Sequence, residues 1–135
     1  MPFCTWNTSY SVKVKRFDED HQQLFGIINE LHDAMSNGRG NDVMQNVLIK
    51  LLRYTERHFT AEEAVMKELS YPELSAHAAQ HRQFTAKVRQ VTEQYRAGTI
   101  GLSLEVLDVV TKWLSRHIMG VDKRYVSFMN QKGVT

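Results

Sequence analysis

Cysteine and proline are scarce in this chain: Cys4 stands alone, and Pro2 and Pro72 are the only prolines among 135 residues. A single thiol closes no internal disulfide, so the disulfide-scaffold class falls away and a cytoplasmic location is the expectation. With 7 glycines and no low-complexity tract, collagen-like and disordered chains are excluded. No apolar run approaches the roughly 20 residues that a spanning helix needs. The first ten residues lack a charged stretch followed by an apolar one, so neither membrane insertion nor a cleaved leader is expected. Charge of one sign is missing too. The 17 Lys and Arg against 15 Asp and Glu leave a formal +2, too small and too dispersed for a nucleic-acid-binding face. What remains at this length is one compact domain.

The pattern that is present is helical. Residues 1–17 carry Pro2, Trp6, Asn7 and Ser9 with no sustained period and read as an ordered but irregular arm, with Trp6 packed on the body. From Asp18, read as an N-cap, His21, Leu24, Phe25, Ile28, Leu31, His32 and Met35 recur at steps of three and four. Ser36, Asn37, Gly38, Arg39, Gly40 and Asn41 form the first loop. A second stripe, Met44, Leu48, Leu51, Thr55, His58, Glu62 and Val65, runs about six turns until Ser70, Tyr71 and Pro72. A third, Leu74, His77, His81, Phe84, Val88, Val91 and Tyr95, is closed by Ala97 and Gly98. The fourth is Val106, Val110, Trp113, Leu114 and His117, after which Gly120 interrupts and a short amphipathic tail runs from Val121 to Met129. Four such helices with short connections predict an all-α, up-and-down antiparallel four-helix bundle. The expected division of the single domain is an arm over 1–17, a core over 18–119 and a C-terminal segment with a short helix over 120–135.

The chemistry lies in which residues occupy these stripes. His21, His58, Glu62, His77, His81 and His117 all fall on faces that the Leu, Val and Phe spacing turns inward. Burying a neutral polar group without a partner costs roughly 2–7 kcal/mol, and an isolated carboxylate far more; a metal ion removes that cost by taking the lone pairs directly. His58 with Glu62, and His77 with His81, are four apart and project from one helix face as chelating pairs. His117 and Asp122, five apart, are turned by roughly 140° on an ideal helix, so a bulge or break near Gly120 is expected to swing Asp122 inward. Five imidazoles and two carboxylates are too many for one ion. They imply two ions, with Glu62 and Asp122 best placed to bridge. Imidazole and carboxylate suit iron, and manganese would be accepted by the same donors. His32, eleven residues past His21 and about 16 Å along the axis, belongs to the other end of the bundle. Cys4 reads as an incidental thiol, and Glu63, about 100° from Glu62, as a solvated neighbour.

Phe17-Asp18-Glu19-Asp20-His21, His58-x-x-x-Glu62, His77-x-x-x-His81 and His117-x-x-x-x-Asp122 occur in that order over nearly the whole chain. In this the sequence resembles the bacterial hemerythrin family. The resemblance implies reversible dioxygen binding at a non-haem di-iron centre (Fe2+/Fe3+), for oxygen transport, storage or delivery, with no catalytic residues. It places His77, His81 and His117 on one iron and His21 and His58 on the other, which keeps an open position, with Glu62, Asp122 and an oxo or hydroxo group as bridges. Phe25, Trp113, Leu114 and Met119 are expected to line the dry pocket for the gas; the family usually has an unreactive aliphatic side chain in place of Met119. Dioxygen is the expected partner, with neither nucleic acid nor membrane. The rival readings are a di-iron oxidase or peroxidase, a nitric oxide-reactive enzyme, and an iron-sensing, oxygen-sensing or iron-storage module. Against oxygen-activating enzymes stands the absence of any Glu-x-x-His motif.

Overall fold

A computed structural model of the chain describes residues 2–38, 41–98 and 104–135. Its four long helices are α1 (Lys15–Ser36), α2 (Asn41–Glu68), α3 (Leu74–Arg96) and α4 (Leu104–Gly120), followed by a short α5 (Val126–Gln131). Two 3₁₀ turns, Thr8–Tyr10 and Asp122–Tyr125, flank them. Among the described residues there is no strand. Nor is any helix among them long and apolar enough to cross a membrane.

The stripes read from the sequence are the faces that pack. Leu24, Ile28 and Leu31 of α1, Leu48 and Leu51 of α2, Phe84 and Val88 of α3, and Val110 and Leu114 of α4 are all buried in one core. Arg39 and Gly40, expected in the first loop, lie outside the described residues.

Two helix ends differ from expectation. Helix α1 begins three residues before Asp18: its N-cap is Val14, whose carbonyl accepts from the backbone N–H of Phe17 and Asp18, each at 3.0 Å. The Asp18 carboxylate instead reaches back to the arm, accepting from Val12 N–H at 2.8 Å and Ser11 Oγ at 2.6 Å. It sits inside the first turn, where an acidic group also meets the positive end of the helix dipole. Helix α2 has 28 residues, about eight turns rather than six. It closes as a Schellman motif, with Tyr71 N–H on the Met66 carbonyl at 2.8 Å and Ser70 N–H on that of Lys67 at 3.1 Å, Ser70 taking a φ of 57°.

The arm packs over α1 and α4. Cys4 N–H donates to Asn29 Oδ1 at 2.9 Å while Asn29 Nδ2 returns a bond to the Cys4 carbonyl at 2.8 Å. Tyr10 and Ser115 join hydroxyls at 2.8 Å. Phe3 stacks on His32 with centroids 4.7 Å apart, so His32 serves as part of the arm's seat. Trp6 packs on the core as expected. At the other end α4 runs through Gly120, and Val121 N–H still bonds the His117 carbonyl at 2.8 Å before the 3₁₀ turn begins at Asp122.

Candidate metal centre

Seven ionisable side chains meet inside the bundle: His21 from α1, His58 and Glu62 from α2, His77 and His81 from α3, His117 from α4 and Asp122 from the 3₁₀ turn, none more than 3% exposed. The turn after α4 is what brings in Asp122. Its Oδ1 lies 3.0 Å from His117 Nε2, although five helical residues would have set the two apart. The break falls directly after Gly120, the last residue of α4, but neither strain nor crowding calls for a glycine there. Gly120 has no left-handed φ, and a Cβ placed on it would meet nothing within 4 Å.

The donor atoms sort into two groups. One comprises His77, His81 and His117 with Glu62 and Asp122; the other comprises His21 and His58 with Glu62. Each carboxylate divides its oxygens between them. Glu62 Oε1 lies 3.1 Å from Nε2 of both His77 and His81, while its Oε2 lies 3.4 Å from His58 Nε2 and 4.0 Å from His21 Nε2. Asp122 Oδ1 lies 2.9 Å from His77 Nε2, while its Oδ2 lies 3.3 Å from His21 Nε2. Two oxygens of one carboxylate turned to two imidazole sets is the geometry of a bridge.

The same distances test whether cations fit. Around an octahedral ion with bonds of about 2.1 Å, neighbouring donors stand about 3.0 Å apart. His81 Nε2 and His117 Nε2 are 3.1 Å apart, as are His21 Nε2 and His58 Nε2. Outer partners fix the ring tautomers. His58 Nδ1 donates to Asp20 Oδ2 at 2.8 Å, His81 Nδ1 to Glu63 Oε2 at 2.8 Å and His117 Nδ1 to Gln80 Oε1 at 3.2 Å. A ring so held can be a ligand only as the neutral tautomer whose bare Nε2 lone pair turns inward. For His81 and His117 two such lone pairs face each other, an arrangement that repels unless a cation lies between them. Asp122 Oδ1 fits the same account: it is buried and makes no hydrogen bond despite its two close imidazoles. The donor set therefore accommodates two ions with nitrogen and oxygen ligands.

Left to the protein groups alone, the site would hold protons instead. Burial pushes the His58 and His77 imidazoles down, but Glu62, Asp20 and Asp122 more than reverse this, raising His58 to about 10 and His77 to about 9. Burial likewise opposes ionisation of Glu62 and Asp122, and the surrounding imidazoles hold both carboxyls below their usual range. Without metal, Glu62 and Asp122 are held as carboxylates while His58 and His77 hold protons, so protons and metal ions compete for those nitrogens.

The profile of the hemerythrin HHE cation-binding domain matches residues 12–128, from the arm to the last turn of the fold. The chain belongs to the hemerythrin family. It is 29% identical over 126 residues to the bacteriohemerythrin of Methylococcus capsulatus, covering 93% of this chain and 95% of that one. It is 31% identical over 120 residues to the myohemerythrin of Theromyzon tessulatum, covering 89% and 88%. The crystal structure of a wild-type hemerythrin superposes with a TM-score of 0.88 at 28% identity, over 93% of this chain and 96% of that one. All seven residues read as ligands lie within the matched span.

The walls of this hemerythrin site differ in part from the sequence reading. Phe25 and Leu114 are buried, one turn from His21 and His117. Trp113 is half-buried and stacks on His117 with centroids 4.6 Å apart and on Phe84 at 4.2 Å, so it shields the outer face of a ring. Met119 is 43% exposed and is no part of the pocket. Two residues past His117 on a continuous helix it is turned by about 200°, and Ile118, 0% exposed, occupies the interior instead. Glu63 also departs from its reading as a solvated neighbour, because it holds His81. The sequence reading missed Asp20 and Gln80, which hold His58 and His117. It missed Phe59, stacked flat on His81 at 3.7 Å, and Tyr125, whose buried hydroxyl donates to Glu62 Oε2 at 2.8 Å. Asp20 lay in the quoted motif beside His21; Tyr125 lies three residues past Asp122, on the inward side of a turn that a straight helix would not contain.

Proposed function

We propose that this hemerythrin binds dioxygen reversibly at a non-haem di-iron centre and acts as a carrier, store or source of the gas rather than as an enzyme. In this reading His77, His81 and His117 hold one iron, His21 and His58 the other, and Glu62 and Asp122 bridge them. The observation that carries it is the division of each bridging carboxylate's oxygens between a three-imidazole and a two-imidazole group. The first group would offer its ion three imidazoles and the second only two, with the carboxylates shared between them. The unequal count would leave room for a guest on the side of His21 and His58. Two ferrous ions supply, when bound, the two electrons that dioxygen takes up and later returns.

The chain's own residues make that exchange reversible. Asp20, Glu63 and Gln80 keep protons on the outer ring nitrogens, so Nε2 remains a ligand atom throughout. Tyr125 holds its proton toward Glu62 Oε2 and steadies the bridge. Leu24, Phe25, Phe59, Leu114 and Ile118, all buried, keep bulk water from the interior around the centre. A binding role, as opposed to turnover, is supported by this apolar lining, which offers no acid or base beyond the ligands and their outer partners.

The test is spectroscopic. Iron-loaded protein is expected to hold two irons per chain, to develop a visible band when the ferrous form meets air, and to lose that band under argon over repeated cycles. A colour change that never reverses would favour an oxidase, and failure to retain two irons would remove the reading altogether.

A further inference from the structure

Buried helix threonines ordinarily satisfy their hydroxyl on their own backbone, and two in this chain do so. Thr92 Oγ1 donates to the Val88 carbonyl and Thr111 Oγ1 to that of Leu107, both at 2.8 Å and both four residues back. Thr55 does not. It is 0% exposed, and among the described residues its Oγ1 has no hydrogen-bond partner.

Its place in the fold gives this orphan a meaning. Helices α1 and α3 run one way through the bundle and α2 and α4 the other. One turn from His21, His58, His81 and His117, toward the middle of the bundle, therefore stand Leu24, Thr55, Phe84 and Leu114 in a single layer. They are 1%, 0%, 2% and 2% exposed. Three are wholly apolar, and the only side-chain hydroxyl belongs to Thr55. Of the four, Leu24 and Thr55 are on the helices that carry His21 and His58, the group with the free position.

We propose that Thr55 Oγ1 is the chain's hydrogen-bond contact for the small molecule held beside His21 and His58. Its guests would be di- or triatomic species that gain negative charge or a strong dipole when bound, with dioxygen and azide as members of that class. The inference rests on the proposed di-iron reading and deepens it. An otherwise dry layer excludes water by its side chains, and one donor within it discriminates among guests by polarity. A buried hydroxyl left unpaired until the guest arrives forms its bond without first breaking another.

The test compares Thr55→Val, which keeps the shape and deletes the hydroxyl, with Thr55→Ser, which keeps the hydroxyl. Azide dissociation constants are read on the ferric protein and dioxygen release rates on the ferrous protein. Melting temperatures are read on metal-free chains. The valine variant is expected to bind azide about tenfold more weakly and to release dioxygen about tenfold faster, the loss expected for a hydrogen bond to a charged acceptor. The serine variant is expected to stay within about twofold. Metal-free Thr55→Val should melt no lower than wild type, since there the hydroxyl has no partner to lose. Unchanged azide and dioxygen binding in Thr55→Val, beside a wild type that binds both, overturns the role of Thr55 alone. So does a metal-free valine variant that melts well below wild type, which would make the hydroxyl structural. A wild type that takes up no iron pair overturns the di-iron reading, and this inference with it.

Discussion

Glu63 and Glu62 are neighbours in sequence, yet they act on opposite edges of one imidazole: Glu63 Oε2 accepts from His81 Nδ1 at 2.8 Å while Glu62 Oε1 lies 3.1 Å from His81 Nε2. His81 is therefore gripped from outside as well as from within. Carboxylates so placed orient a ligand ring and make it a better base. Glu63→Ala is expected to weaken iron retention by roughly 10- to 100-fold, measured as the rate at which a chelator strips the protein. Stripping at the wild-type rate would show that Glu63 is only a surface charge.

Removing the metal should cost much of the stability. Ions that bind only the folded state stabilise it by about 2.7 kcal/mol at a hundredfold excess over their dissociation constant, a shift of several degrees for a chain of this size. Calorimetry on iron-loaded and chelator-treated protein is expected to show it. Coincident melting curves would speak against a cluster that needs cations.

The pH dependence of the metal-free chain follows from two opposed sets of shifts. His58 and His77, raised to about 10 and about 9, stabilise the fold fully below the ordinary imidazole range, and that contribution is lost as pH rises through those values. Glu62 and Asp122, both lowered, stabilise it above the ordinary carboxylate range and cease to do so as pH falls through their folded values. Metal-free protein should thus be most resistant to urea at about pH 5–6 and weaken steadily toward pH 10. Iron loading at pH 7 should release protons, seen as a binding heat that changes with buffer. A buffer-independent heat would contradict the raised imidazoles.

Tyr125→Phe deletes the hydroxyl that donates to Glu62 Oε2, both groups being 0% exposed. Stranding part of a buried carboxylate is expected to destabilise the protein by about 1–3 kcal/mol, read from urea unfolding of the loaded form. Should Glu62 be held by the ions alone, the midpoint will not move.

Gly120→Ala should be silent. A Cβ there meets nothing within 4 Å, and exchanging a helical glycine for alanine commonly stabilises by about 0.5–1 kcal/mol. Full iron stoichiometry with an equal or higher melting point is the expected result. A lost second iron would mean that the turn placing Asp122 depends on glycine after all.

The bundle and its buried cluster of candidate ligands were legible because burial has a period. His21, His58, Glu62, His77, His81 and His117 share steps of three and four with Leu and Phe, so one rule finds both the core and the polar groups within it. Asp122 needed a second inference, a break near Gly120; the break exists directly after that residue, without a backbone strain that would require glycine. Asp20, Glu63 and Gln80 escaped because each stands next to a ligand in sequence and hence off the buried stripe, where its part is played by a hydrogen bond and not by burial. Met119 was assigned to the pocket at a place where the family has an aliphatic side chain, and the buried aliphatic residue is its neighbour Ile118. On a helix the residue two positions on faces the other way.

Asp122, the final candidate ligand, comes roughly a hundred positions after His21, a stretch that a ribosome needs on the order of 5–20 s to make. During that interval no metal pair can be fully caged, whatever the cell's supply. Closure around a metal pair therefore waits for the turn after α4, and until that turn is made the five histidines and Glu62 form an incomplete set. The moment at which this protein can close on a metal pair is set by the making of the 3₁₀ turn after α4.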